Sequence, residues 1–253
     1  MTYTLKGRNV LVTGGTRGIG EAIVRRFAAE GSNIAINYLS SGDVAASLAT
    51  SLQASHGIKA VTIQADMALA SDAKRLIHET ISALGGLDII VSNAGNTKIA
   101  AYDDIHALSE ADWDHAYALF VKANVFMAQA ALSTFQSNQD GGVLLLMSSS
   151  AGLVAAGSSM AYSVTRAAEN HLAKGLAKTL GPKVRVNAVC PGLVDTERAK
   201  GLGEERREGH KDMAVLKKLT TPEEVADVFV MLARNTGMTG EVVKVDSGMF
   251  VGS

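Results

Sequence analysis

Val10-Leu11-Val12-Thr13-Gly14-Gly15-Thr16-Arg17-Gly18-Ile19-Gly20 is the stretch that decides how this chain folds. A short apolar run ends in closely spaced glycines, after which Ile19, Ile23 and Phe27 fall on one face of a helix. The pattern is a strand, a tight turn and a helix. Gly14, Gly18 and Gly20 carry no Cβ to hold a ligand off the backbone, and they tolerate positive φ. The turn therefore aims N–H groups and a helix N-terminus at an anion, which suits a pyrophosphate. The spacing is G-x3-G-x-G rather than the commoner G-x-G-x-x-G. Its place at the start of a βαβ-like pattern gives the phosphate reading its weight.

Outward from this turn, strand-like and helix-like segments alternate. Strands are expected at 9–13, 33–37, 60–64, 87–92, 142–147, 184–189 and 241–245. Helices are expected at 19–29, 45–54, 71–84, 109–135, within 158–180 and at 222–233. Ser71, Ser109 and Thr221 are placed as N-caps, with Pro222 at the first position of the last helix. The charged stretch 196–211 reads as a mobile flap. The order predicts an α/β fold, a Rossmann-like doubly wound parallel sheet of about seven strands, in one domain spanning 1–253. The segments 14–20, 37–43, 93–99, 148–162 and 190–197 follow strand ends and should converge on the ligand crevice.

The chain has 253 residues, 47% of them hydrophobic, and a net charge of −1, a balance that points to neither nucleic acid nor an anionic membrane surface. Its one cysteine, Cys190, excludes an internal disulfide and fits a reducing compartment. The six histidines lack metal-ligand spacing, so no metal is expected. No charged–apolar–small leader opens the sequence and no apolar run approaches ~20 residues, which predicts a cytoplasmic protein without a membrane span.

The second strand selects the nucleotide. An acid closing it would mark NAD. Here it ends Asn37-Tyr38-Leu39-Ser40-Ser41, the first acid is Asp43, and Arg17 lies in the glycine turn beside the same ribose. An arginine with hydroxyl and amide donors suits a 2′-phosphate. One charge-assisted hydrogen bond, about 1.5–3 kcal/mol, gives a preference of roughly ten- to 150-fold. The cofactor predicted is NADP(H).

Ser149, Tyr162 and Arg166 are the candidates for chemistry. A tyrosine four residues before a cation on a helix shares a face with it. A tyrosine titrates near pH 10 in water, and a fixed cation favours the phenolate that proton exchange near neutrality requires. Ser149, at the end of the preceding strand, can donate to the same substrate oxygen.

On these residues the chain resembles the short-chain dehydrogenase/reductase family along essentially its whole length. The family's TGxxxGxG corresponds to Thr13–Gly20, its NNAG to Ser92-Asn93-Ala94-Gly95, its S-x12-Y to Ser149 and Tyr162, and its PG-x-V/I-x-T to Pro191-Gly192-Leu193-Val194-Asp195-Thr196. The resemblance implies that Asp66 meets the adenine, that Asn93 supports the cofactor turn, and that Val194 and Thr196 contact the nicotinamide amide. It implies a cofactor lining that also includes Gly14, Thr16, Arg17, Gly18, Ile19, Asn37, Tyr38, Ser40, Ser41, Met67, Ala94, Gly95, Pro191 and Gly192, together with Tyr162 and Arg166. It makes Tyr162 the acid/base and Ser149 the group that polarises the substrate oxygen. The wording of 36–41 is similar to the family's NADPH-dependent ketone reductases.

Two positions depart from the family pattern. Arg166 replaces the lysine of Y-x-x-x-K; its charge is kept, but its proton is essentially never released and its planar fork reaches differently. Phe120 falls where the family places an asparagine that anchors a proton-relay water, and Asn124 lies one turn further along the same face, about 6 Å away. A Ser…Tyr-x-x-x-Arg triad also occurs in the related halohydrin dehalogenases, but there a bulky aromatic fills the nucleotide site, where this chain has Gly18.

The sequence thus predicts an NADPH-dependent carbonyl reductase or alcohol dehydrogenase. The alternatives are a non-redox isomerase, eliminase or cyclase retaining NADP(H), and a catalytically weak nucleotide-binding or scaffold protein. Leu153, Val154, Met160 and Ile99 suggest an apolar pocket wall, hence an apolar, alicyclic or aromatic ketone or alcohol as substrate. The alanine-rich tracts 109–135 and 158–180 are apolar on more than one face. With the family resemblance, they imply a homodimer or homotetramer.

Overall fold

The computed structural model describes residues 3–252. Seven parallel strands stand in the order β3-β2-β1-β4-β5-β6-β7: β1 (Asn9–Val12), β2 (Asn33–Tyr38), β3 (Ala60–Gln64), β4 (Ile89–Ser92), β5 (Gly142–Met147), β6 (Val184–Pro191) and β7 (Val242–Val245). Val10 of β1 pairs with Ile34 on one side and Ile89 on the other, so the strand order reverses at the β1/β4 junction. In an open α/β sheet the crevice beyond the strand ends at such a reversal is where ligands bind.

The central strands read as unbroken apolar runs because helices cover both faces of the sheet. Alternation along each strand divides the core in two. Val10, Val12, Ile34, Ile36, Val91 and Leu145 face one way, against Phe27 of α1 (Gly18–Ala29), Leu48 of α2 (Gly42–His56) and Phe229 of α9 (Pro222–Arg234). Leu11, Ala35, Ile90 and Leu144 face the other way, against Leu76 of α3 (Ala70–Leu84), Phe135 of α5 (Ala123–Ser137) and Ala173 of α6 (Met160–Leu180). Burying one such large side chain contributes roughly 1.5–3 kcal/mol, which makes these two layers the dominant restraint on the strand ends.

Four expectations are corrected. The tract 109–135 is not one regular helix. Ser109 caps α4 (Glu110–Tyr117) with a full capping box, and a π-helical turn at Ala118–Lys122 then leads into α5. This widened turn holds Phe120, and Asn124 follows in the first turn of α5. The whole tract Glu110–Ser137 is long and apolar enough to cross a membrane by length and composition, contrary to the sequence reading; here α5 packs on α3 and β5. The segment after β6 is not patternless either. It forms α7 (Glu197–Lys200), capped by the Thr196 hydroxyl, and α8 (Glu204–Met213). Finally, α3 starts at Ala70 with Leu69 at the cap position, so Ser71 lies inside the first turn, and the Asp72 carboxylate there accepts from the Asp66 N–H of the preceding loop.

Candidate active site

The turn after β1 is built for close approach. Gly14 and Gly18 have φ of 62° and 54°, and a Cβ on Gly20 would stand 2.2 Å from the Gly14 carbonyl oxygen and 2.6 Å from Asn93 Nδ2. Arg17 is the N-cap of α1 in extended conformation with no side-chain cap hydrogen bond, so the first-turn N–H groups are not capped from within. That is the geometry of an anion site at a helix N-terminus. The loop after β4 fixes it: Asn93 Nδ2 donates to the Thr13 and Gly14 carbonyls at 2.8 and 3.1 Å, while Thr13 Oγ1 accepts from the Asn93 and Ala94 N–H groups, both at 2.9 Å. Thr196 packs across the turn, its Cγ2 3.4 Å from where a Gly18 Cβ would stand. Pro191, Gly192 and Val194 lead to it, with Gly192 N–H donating to the Val245 carbonyl and Val194 bridging to Thr220. Gly14, Gly18, Gly20, Asn93, Ala94 and Thr196 thus meet around this turn.

The adenosine corner differs in one respect from the sequence reading. Asn37 was expected to face the nucleotide; it is buried, and its amide is committed to the backbone. Its Nδ2 donates to the Ile63 and Ala65 carbonyls at 3.2 and 3.1 Å, and its Oδ1 accepts from Gly14 N–H at 3.1 Å. It positions the glycine turn against β2 and β3. The groups left at the surface are Arg17, Tyr38, Ser40 and Ser41, the last capping α2 without giving its hydroxyl to the helix. Asp66 ends the next strand connection, its carboxylate accepting from Ala68 N–H and its own N–H held by Asp72; Met67 beside it is buried.

Ser149 follows β5 and caps a single 3-10 turn at Ser150–Gly152. Its Oγ accepts from Ala151 N–H at 3.2 Å, which leaves the hydroxyl proton free to point elsewhere. Gly152 lets this turn press on α6: a Cβ there would stand 2.6 Å from the Arg166 carbonyl carbon. Ser148 Oγ ties the same two elements by donating to the Arg166 carbonyl at 3.2 Å. Tyr162 sits in the first turn of α6, its N–H donating to the Ser159 hydroxyl at 3.3 Å, and Arg166 is one turn on. The three candidates come together on the junction of β5 and α6.

Arg166 is not a solvent-facing cation. It is 5% exposed, and Nη1 donates to the Met147 carbonyl at 2.5 Å and to Glu169 Oε2 at 2.7 Å. Its Cζ lies 3.7 Å from the Phe120 ring centroid and 4.9 Å from that of Tyr162, and the two rings meet edge to face at 5.6 Å and 87°. Nη2 lies under the loop after β4, 3.2 Å from where a Cβ on Gly95 would stand. Asn124, also buried, donates to the Phe120 carbonyl at 2.8 Å and to Glu169 Oε1 at 3.0 Å. Burial works against the guanidinium charge, but Tyr162 and Glu169 beside it hold its pKa above the ordinary value. Burial pushes the Glu169 carboxyl up, against the pull of Arg166 and Asn124. Sequence reasoning passed over Glu169, although its i,i+3 spacing from Arg166 is a helix-face signal.

A family model described as enoyl-(acyl carrier protein) reductase matches residues 14–250. The chain is 32% identical over 253 residues to the 3-oxoacyl-(acyl-carrier-protein) reductase FabG of Aquifex aeolicus, covering 99% of this chain and 100% of that one. Among solved structures, a blue fluorescent protein from a metagenomic library in complex with NADPH superimposes with a TM-score of 0.89 at 32% identity, over 98% of this chain and 99% of that one. A short-chain dehydrogenase from Burkholderia cenocepacia in complex with NADP gives a TM-score of 0.88 at 31% identity, with the same coverage. The chain belongs to the short-chain dehydrogenase/reductase family.

Proposed function

We propose that this NADP(H)-dependent short-chain oxidoreductase reduces a ketone with apolar flanks, using Tyr162 as proton donor and Ser149 as hydrogen-bond donor to the carbonyl oxygen. The observation that supports the reading is the junction of β5 and α6, where Ser149 caps the turn packed on α6 and Tyr162 stands one helical turn before Arg166, whose Nη2 lies under the loop that Asn93 ties to the glycine turn. NADPH, when bound, supplies the hydride. The protein's part is to hold the carbonyl oxygen between two hydroxyl donors and to deliver a proton to it as negative charge develops. A positioned general acid contributes typically ~10²–10⁴-fold. The Ser149 hydroxyl accepts from Ala151 N–H and keeps its own proton to donate.

The apolar preference is supported by apolar side chains left exposed on the loops that follow β4 and β6. Ile99 is 59% exposed in a loop pinned to the start of α6, where Ala100 N–H donates to the Ser158 carbonyl at 2.9 Å. Val215 and Leu216, also exposed, are held by backbone bonds to Gly248 and Ser247. The FabG name of a relative adds 3-oxoacyl compounds to the substrates worth offering. Tyr117 and Val164, exposed on α4 and α6, favour self-association into a homodimer or homotetramer, which light scattering reads directly.

The test is a panel of 3-oxoacyl thioesters and alicyclic and aromatic ketones offered with NADPH. Stoichiometric loss of reduced nicotinamide with alcohol formation, abolished in Tyr162→Phe, is expected. Product formed without cofactor turnover would establish instead the non-redox reading. No product from any carbonyl would sink both.

A further inference from the structure

We propose that Glu169 is a positioning residue for the reaction: by pairing with the buried Arg166 guanidinium it offsets the cation packed on the ring of Tyr162, the phenol that reduction uses as proton donor. The proposal rests on Tyr162 being the proton donor. An unopposed cation packed against a phenol would favour the phenolate, the form that accepts a proton during alcohol oxidation. Here the cation is not unopposed. Glu169, 1% exposed, takes Arg166 Nη1 at 2.7 Å on one carboxylate oxygen and Asn124 Nδ2 at 3.0 Å on the other. Phe120, in the π-turn, covers the guanidinium face at 3.7 Å and closes the cluster.

The surroundings leave this balance to Glu169. On α6 itself His171, Lys174 and Lys178 are exposed. From α4, Glu110, Asp114 and His115 are exposed, and Asp112 is half-buried in an ion pair with Lys98; Lys122 of the π-turn is exposed. From β6, Cys190 faces the cluster through Asn170 and is a neutral thiol, since burial pushes it up to about 11. From β5 and the turn after it come only hydroxyls and the Met147 carbonyl. Inside the fold Arg166 is thus the cation packed on the Tyr162 ring, and Glu169 is the carboxyl paired with that cation.

The experiment reads Tyr162 ionisation without turnover, as the ultraviolet phenolate signal of each protein minus that of its Tyr162→Phe counterpart, with NADP bound. Glu169→Gln is expected to move that ionisation down by about one pH unit, the size of a Coulomb term at about 10 Å and an effective dielectric near 20. The pH limb of ketone reduction should move down with it, and alcohol oxidation near neutrality should rise. Glu169→Asp should restore the native value. Because a trapped cation can unfold the chain, the same comparison is made in an Arg166→Lys background, where the flexible ammonium can turn toward the crevice. Arg166→Lys/Glu169→Gln should again titrate below Arg166→Lys alone. An unchanged phenolate titration in both comparisons overturns the proposal. Failure of the wild-type chain to reduce any ketone would overturn the function proposed above, while the titration, which needs no substrate, still decides whether Glu169 sets the phenol's charge.

Discussion

Asn93 and Thr13 hold each other by two hydrogen bonds across the β1/β4 reversal: Asn93 Nδ2 donates to the Thr13 carbonyl at 2.8 Å, and Asn93 N–H donates to Thr13 Oγ1 at 2.9 Å. Ala94 N–H adds a third, to the same hydroxyl oxygen at 2.9 Å. The threonine hydroxyl is buried and faces two donors. It acts as a staple between the glycine turn and the loop that covers Arg166.

Thr13→Val keeps the shape of the side chain and removes the acceptor. Two N–H groups lose their partner, at about 1–3 kcal/mol for an unsatisfied buried group. Chemical denaturation should show a midpoint shift of that order, and calorimetry should show weaker NADPH binding. Stability falling with coenzyme affinity unchanged would mean that the staple serves the fold and not the turn.

Arg17→Ala should separate the two coenzymes. Arg17 is exposed at the start of α1, as is Ser40 after β2. Loss of one charge-assisted contact to a 2′-phosphate predicts a KM for NADPH raised roughly ten- to 150-fold, with little change for NADH. Equal losses for both coenzymes would assign Arg17 to the pyrophosphate instead.

The contrast between Arg17 and Asn37 shows how far the sequence reaches. Strand order, the crevice and the glycine turn follow from apolar runs and glycine spacing, which are local signals. Whether a polar side chain at a strand end faces the ligand or the interior depends on partners distant in sequence. Asn37 is turned inward by the Ile63 and Ala65 carbonyls of the neighbouring strand, and nothing local announces it. The π-turn at Phe120 is hidden for the same reason: its carbonyl is satisfied by Asn124, whose other acceptor, Glu169, is 45 residues away. Arginine at 166 signalled an unusual site, but its inward direction became legible only with Met147, Glu169 and Phe120 around it.

Tyr162→Phe should leave the fold and coenzyme binding close to native, because the backbone cap to Ser159 and the edge-to-face packing on Phe120 need no hydroxyl. Turnover should fall about 10²–10⁴-fold, the range of a lost general acid. Ser149→Ala should fall less, by about 10²-fold, as one of two donors to the developing charge. A Tyr162→Phe enzyme with native kcat would remove the tyrosine from the chemistry.

Alkaline pH should destabilise the fold through two groups buried in their neutral forms. Burial raises the Cys190 thiol from 9.0 to about 11, and burial followed by Asp88 raises the Tyr3 phenol from 10.0 to about 12. For each, the unfolded chain releases its proton first. The stabilisation is fully present below the unfolded value and is lost as pH rises through the folded one. The Cys190 contribution should therefore fade between pH 9 and 11, and that of Tyr3 between 10 and 12. Two units correspond to about 3 kcal/mol per group as an upper bound. Thermal melts across this range should show Tm falling from pH 9 upward, and Cys190→Ala should delay the onset by about one unit while the later Tyr3 segment persists. A Cys190→Ala curve parallel to the native one from pH 9 would show that the thiol is not what the rising pH strips of its proton.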